Sequence, residues 1–299
     1  MMDSIRDRYM SLIARMLERM KKQKEISDED VFQAGDAGLL PLIDPILIDH
    51  LQPGSKIDGF ANLEDLMARA KKGESCLLLL EHYSNFDLPA FHYLLRESKE
   101  GGRQIAEALI AIAGVKLSEA NPVVSAFAQA YSRIIIYPSR SIEILKKNLK
   151  DPTKLYREMM RGMSINRAAV RALGKAKVSG KILLVFPAGT RYRPWDPGSK
   201  RGVREIASYI KGFENFCLVA VNGNILRINP KGEMEDDLLE NDKVVFTVSP
   251  VQKSEDFLKH IDAEHHFRDD KKQEIVDHLM EDLEIMHIAA EKKRSQSQP

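Results

Sequence analysis

A histidine and an aspartate stand five residues apart in His82-Tyr-Ser-Asn-Phe-Asp87, directly after the apolar run Leu77-Leu-Leu-Leu-Glu81. A carboxylate that fixes one tautomer of an imidazole leaves the opposite ring nitrogen as a base. Such a pair can take the proton from an attacking hydroxyl. The same spacing also arises by chance, with the histidine bonded to a loop and the aspartate capping a helix, so its company decides. Some hundred residues downstream, Arg191 and Arg193 stand two apart in Gly189-Thr-Arg-Tyr-Arg-Pro194. In an extended loop, residues i and i+2 project to the same side, and two guanidiniums so placed grip a phosphate through paired N–H···O bonds. Gly189, next to Thr190, would let the backbone turn closely and offer N–H groups as a small anion nest. The competing role for the arginines is pairing with surface carboxylates, and in the local sequence only Asp196 is acidic.

Both groups follow predicted strands. Leu77–Leu80 reads as a buried strand after the breaker Gly73, and Pro89 suits the first turn of a helix reaching about Arg96. Ile182–Phe186 reads as the strand before the arginine loop. Open α/β sheets place their sites at this C-terminal edge. Further strands are predicted at Ala108–Ala113, Arg133–Tyr137 and Phe216–Val221. Helices are predicted at Asn62–Lys72, Pro122–Ala130, Pro152–Leu173, Gly202–Ile210 and Lys271–Ala290. The alternation predicts an α/β fold, a mixed and mostly parallel sheet flanked by helices. Ile225–Ile228 and Val244–Val248 are expected to pair antiparallel across an acidic turn region.

Upstream, Ile5, Tyr9, Leu12, Ile13, Met16, Leu17 and Met20 recur with helical period. This helix either packs in a bundle or lies on anionic lipid, and its Met-rich stripe favours packing. Pro41, Pro45 and Pro53 break the next apolar stretch into short helical pieces. The expected organisation is a small helical region over 1–60, an α/β domain over 61–290 and a disordered tail over 291–299.

With 299 residues, 43% hydrophobic and 30% charged, the chain has ordinary globular composition and can bury a core without staples. Its two cysteines, Cys76 and Cys217, read as buried thiols in a reducing compartment, which excludes a disulfide framework. No Cys/His spacing suggests zinc, and no metal is expected. No stretch approaches the roughly 20 apolar residues of a membrane span, and residues 1–25 lack a signal-peptide core. A cytoplasmic location, at most peripheral to a membrane, is the expectation.

The net charge of +1 conceals a segment from Arg140 to Arg204 with 17 Lys/Arg against four Asp/Glu. Such clustering points to anionic partners. A nucleic acid is disfavoured because interleaved aromatics are lacking. Gly174–Lys181 resembles a P-loop only superficially, precedes a strand and lacks the Ser/Thr; no G-x-S-x-G elbow occurs.

Taken together, the chain resembles the glycerol-phosphate acyltransferases. Their first motif is His-x4-Asp at a strand end, here His82 to Asp87. Their third is a strand and a Pro/Gly/Arg loop, here Phe186-Pro-Ala-Gly-Thr-Arg191. It is most similar to the soluble chloroplast-type glycerol-3-phosphate acyltransferases through Leu40-Pro-Leu-Ile-Asp44, Ala113-Gly114 with Pro122, Ile136-Tyr-Pro-Ser-Arg140 and Arg191-Tyr-Arg-Pro194. Two departures stand out: Ala188 replaces the usual Glu, and Val219-Ala-Val221 lacks the proline of the fourth motif. The resemblance implies acyl transfer from an acyl carrier protein or acyl-CoA thioester to glycerol 3-phosphate, with no further cofactor. His82 would be the base and Asp87 its partner, while Arg191, Arg193 and Arg140 would hold the phosphate beside Gly189 and Thr190. Lysophosphatidate is the alternative acceptor. A non-catalytic lipid- or phosphate-binding role on the same scaffold is the further alternative.

Overall fold

The computed structural model describes residues 3–21, 25–98, 101–119, 121–232, 234–264 and 270–296. In chain order the first half comprises α1 (Ile5–Arg19), β1 (Phe32–Gln33), α2 (Leu40–His50), β2 (Lys56–Asp58), α3 (Phe60–Lys71), β3 (Cys76–Leu80), α4 (Asp87–Glu97), α5 (Gly102–Ala108) and β4 (Leu109–Gly114). Then come α6 (Val115–Glu119), α7 (Pro122–Ala128), β5 (Arg133–Ile136), α8 (Ser139–Asn148), α9 (Pro152–Lys177) and β6 (Ile182–Val185). The remainder is α10 (Ile206–Gly212), β7 (Asn215–Asn222), β8 (Leu226–Arg227), β9 (Leu238–Leu239), β10 (Val245–Val248), β11 (Gln252–Lys253), α11 (Ser254–Glu264) and α12 (Lys271–Gln296). The fold is α/β, as the alternation predicts.

Two compact units divide the chain. The first holds residues 1–8, 44–109 and 177–299; the second holds 9–43 and 110–176. The chain passes between the units several times.

In the first unit the strand order is β6-β3-β7-β10-β2. β3 runs parallel to β6 and β7, and β10 parallel to β2, while β10 and β11 run antiparallel to β7. Every residue of β3 and β7 is buried, which is why both read as continuous apolar runs instead of alternating ones. Helices α3 and α12 pack against these strands. In the second unit, β5 lies between β4, parallel, and β1, antiparallel. Its core gathers Ile26, Val31, Val115, Ile135, Tyr137 and Ile165. Asn166 clamps the Tyr137 backbone at both ends, accepting from its N–H at 2.8 Å and donating to its carbonyl at 2.9 Å.

Several expectations are corrected. Val244–Val248 does not pair with Ile225–Ile228; β10 pairs with β7 and β8 with β9. The eight-residue, wholly buried β7 offers β10 a longer apolar partner than the two-residue β8. Residues 40–50 form one helix despite Pro41 and Pro45. Pro41 sits in the first turn, where its missing N–H costs little, and the buried Ile43, Ile46 and Leu47 secure the interior. Helix α10 starts at Ile206, not Gly202, and a Cβ on Gly202 would come 2.4 Å from Val276 of α12. The tail expected from residue 291 is helical as far as Gln296, and 297–299 lie outside the described residues. No helix among the described residues is long and apolar enough to cross a membrane.

Candidate active site

β3 and β6 are adjacent and parallel, with Leu79 opposite Val185, so the histidine and arginine loops leave the sheet at the same edge. The two loops are tied together. The His82 ring stacks on Phe186 with centroids 4.0 Å apart and planes 22° apart, and the His82 carbonyl accepts the Tyr192 N–H at 2.8 Å.

Asp87 opens α4 and is 4% exposed. One of its oxygens, Oδ2, takes His82 Nδ1 at 2.9 Å and the N–H groups of Tyr83 and Ser84 at 2.6 and 2.9 Å. Its Oδ1 takes the Ser84 hydroxyl at 3.2 Å. An ionised carboxylate only accepts. The network therefore assigns the His82 proton to Nδ1 and leaves the lone pair on Nε2.

Beneath the dyad lies a second histidine–carboxylate contact. Glu81, nearly fully buried, receives His287 Nδ1 and the Val221 N–H, each at 2.8 Å, on Oε2. Its Oε1 receives the Tyr83 hydroxyl at 3.2 Å. Burial, reinforced by the charge of Glu81, holds the Tyr83 phenol well above its ordinary pKa, so it stays a neutral donor. The Tyr83 ring also packs edge-on to Tyr192, centroids 5.7 Å apart. Helix α12 is thereby linked to the end of β3.

In the arginine loop, Gly189 takes φ +63°, and its N–H closes a turn on the Phe186 carbonyl at 2.9 Å. Only glycine adopts that conformation without strain. Thr190 follows it, half-buried. Arg191 is not waiting for a partner: its Nη1 is ion-paired with Asp237, which is 1% exposed. Burial pushes the Asp237 carboxyl up, while Arg191 and the Asn229 N–H oppose that rise. Asp196, the one acid near in sequence, instead closes the turn through its backbone N–H to the Arg193 carbonyl at 2.9 Å. The Arg193 backbone N–H donates to Ser199 Oγ at 2.7 Å, and its guanidinium makes no ion pair or side-chain hydrogen bond among the described residues.

The structure thus brings His82, Asp87, Gly189, Thr190, Arg191 and Arg193 onto neighbouring loops of one unit. Arg140 belongs to the other unit, exposed at the second position of α8. Sequence reasoning missed Glu81, Tyr83, Asp237 and His287. Glu81 carried a signal, an acid ending a run of four leucines; Asp237 and His287 carried none, because only the fold brings them near. No group of His, Cys, Asp and Glu among the described residues is arranged to hold a metal ion. No protein-family model and no curated protein matches this chain.

Proposed function

We propose that the chain transfers a fatty acyl group from a thioester, of acyl carrier protein or coenzyme A, to the hydroxyl of glycerol 3-phosphate. The observation that supports this reading most is the dyad: an imidazole with Nδ1 committed to a buried, four-times-bonded carboxylate, beside an arginine loop on the neighbouring strand.

In this reading His82 Nε2 takes the hydroxyl proton as the oxygen attacks the thioester carbonyl, and Asp87 stabilises the imidazolium through Nδ1–H. A C–O bond forms and, as the tetrahedral intermediate collapses, the C–S bond breaks. The leaving thiolate takes the proton back from Nε2, giving ester and free thiol. The thioester is already activated, so no acyl-enzyme is required. Arg193, whose guanidinium has no ion-pair partner among the described residues, is the primary phosphate ligand. Arg191, anchored by Asp237, offers its remaining N–H groups. Holding the phosphate places the hydroxyl against the base, and that positioning supplies much of the rate.

The test is ester formation by the purified chain, offered glycerol 3-phosphate or lysophosphatidate with each thioester. Turnover on glycerol 3-phosphate that falls about 10²–10⁴-fold in His82→Ala is expected. No ester with any pair, or undiminished turnover in that variant, overturns the reading. Faster reaction with lysophosphatidate would change the acceptor and keep the chemistry.

A further inference from the structure

Helix α1 buries most of its apolar stripe: Ile5, Tyr9, Ile13 and Met16 are buried, while Leu17 is exposed. Helix α9 does the reverse along one face. Tyr156, Met160, Met163 and Val170 follow one another at spacings of four, three and seven residues, which on an α-helix aligns them in a single row. They are 67, 46, 53 and 67% exposed. Single exposed apolar residues need no explanation. Tyr156, Met160 and Met163 stand on successive turns over about 10 Å at 1.5 Å per residue, and Val170 extends the row beyond Arg167; such clustering marks an interaction site. It is not an overflow of the core, because the inward face is separately filled by Gly162, Ile165, Ala168 and Ala169.

The charge on this helix points to the occupant. Arg167 lies within the row, and Arg157, Arg171 and Lys175 lie along one flank, all exposed. The single acid of the helix, Glu158, bonds instead to the Tyr137 hydroxyl at 2.9 Å and to Arg161 at 2.8 Å. The outward residues of the helix itself are therefore apolar or cationic, with Asp28 of the preceding segment accepting the Ser164 hydroxyl at 2.8 Å on the cationic flank. A second copy of the same face would set like charges against each other. Two of the four side chains in the row are flexible methionines, which a fluid surface accommodates without a matching groove. Long cationic side chains can lie back along such a row and leave their heads among phosphates.

We propose that the exposed face of α9 docks onto an anionic lipid surface, with Tyr156, Met160, Met163 and Val170 entering the headgroup–acyl boundary and the flanking cations meeting lipid phosphates. This role rests on α9 alone and is independent of the acyl-transfer reading.

The experiment is sedimentation of the full chain with vesicles of phosphatidylglycerol and phosphatidylcholine, against vesicles of phosphatidylcholine alone. Binding to the anionic vesicles is expected. It should weaken about tenfold or more in Met160→Asp/Met163→Asp and in Arg157→Glu/Arg171→Glu, since each tenfold step needs only a modest loss of contact. Circular dichroism checks the fold, and Met160→Ser/Met163→Ser carries the same expectation should the aspartates disrupt it. A fluorophore on Val170→Cys, selective because Cys76 and Cys217 are buried, should shift to the blue with anionic vesicles only. Equal binding to neutral vesicles, wild-type binding by the variants, or protection of this face by an acidic protein without any vesicle binding would each overturn the proposal.

Discussion

Asp87 is a stricter test of the dyad than His82, because every bond it makes serves to hold it as an acceptor. In Asp87→Asn the amide oxygen can take the place of Oδ2 and keep the His82, Tyr83 and Ser84 N–H groups, with its NH2 facing the Ser84 hydroxyl, so what is lost is the negative charge that stabilises the imidazolium. Turnover should fall about 10²-fold or more with little change in stability; initial rates and thermal melts separate the two. The arginines should part company in the same way. Arg193→Ala should raise the KM for the phosphorylated acceptor and leave stability unchanged. Arg191→Ala strands a buried carboxylate and should cost about 3 kcal/mol. Without Arg191 the folded-state pKa of Asp237 lies further above its unfolded value, so the folded protein binds the extra proton. The deficit should therefore be smaller at low pH and grow as pH rises, and Arg191→Ala/Asp237→Asn should recover most of it. Denaturant titrations at several pH values check this. The sequence suggested a phosphate ligand at Arg191 but not its protein partner, because Asp237 lies 46 residues on and no local pattern connects the two.

At the level of elements, the four strands that matter most, β3, β6, β4 and β5, were legible because buried parallel strands read as short apolar runs between breakers. The short β1 and β2 were not, since two or three residues carry no period. The partner of β10 was also hidden: strand pairing depends on which apolar faces meet, not on proximity in the chain. Helix α4 shows a further contact that sequence does not reveal. His92 is buried there, its pKa lowered to about 4 by desolvation and by the neighbouring Arg96. Arg96 Nε donates to its Nδ1 at 3.2 Å, while the rest of the guanidinium forks onto Asp44 of α2. The folded protein keeps His92 neutral where the unfolded chain, with an ordinary value near 6.5, takes up a proton. Stability should thus be fully present above pH 6.5 and decline as pH falls toward 4, by on the order of 2 to 3 kcal/mol. A variant without the titration, His92→Gln, should show a flatter stability profile across that window.

For the molecule as a whole, every residue of the candidate site except Arg140 falls in one unit, yet that unit is assembled from three separate stretches of chain. The dyad loop and the ring it stacks on are about a hundred residues apart. At the ~5–20 residues per second of synthesis, β3 therefore emerges and waits roughly 5–20 s before β6 exists, and longer for β7. Throughout that interval Cys76-Leu-Leu-Leu-Leu80, wholly buried at the end, has neither of its neighbours. In the finished protein the Cys76 thiol is shut away and burial pushes it up to about 12. A ribosome-bound chain stopped after residue 180 should therefore expose Cys76 to a thiol reagent, and one extended past residue 222 should protect it. The candidate site is thus among the last places to take shape. Until then its most apolar strand depends on its surroundings, such as chaperones at the ribosome exit, to keep it from pairing with the wrong neighbour.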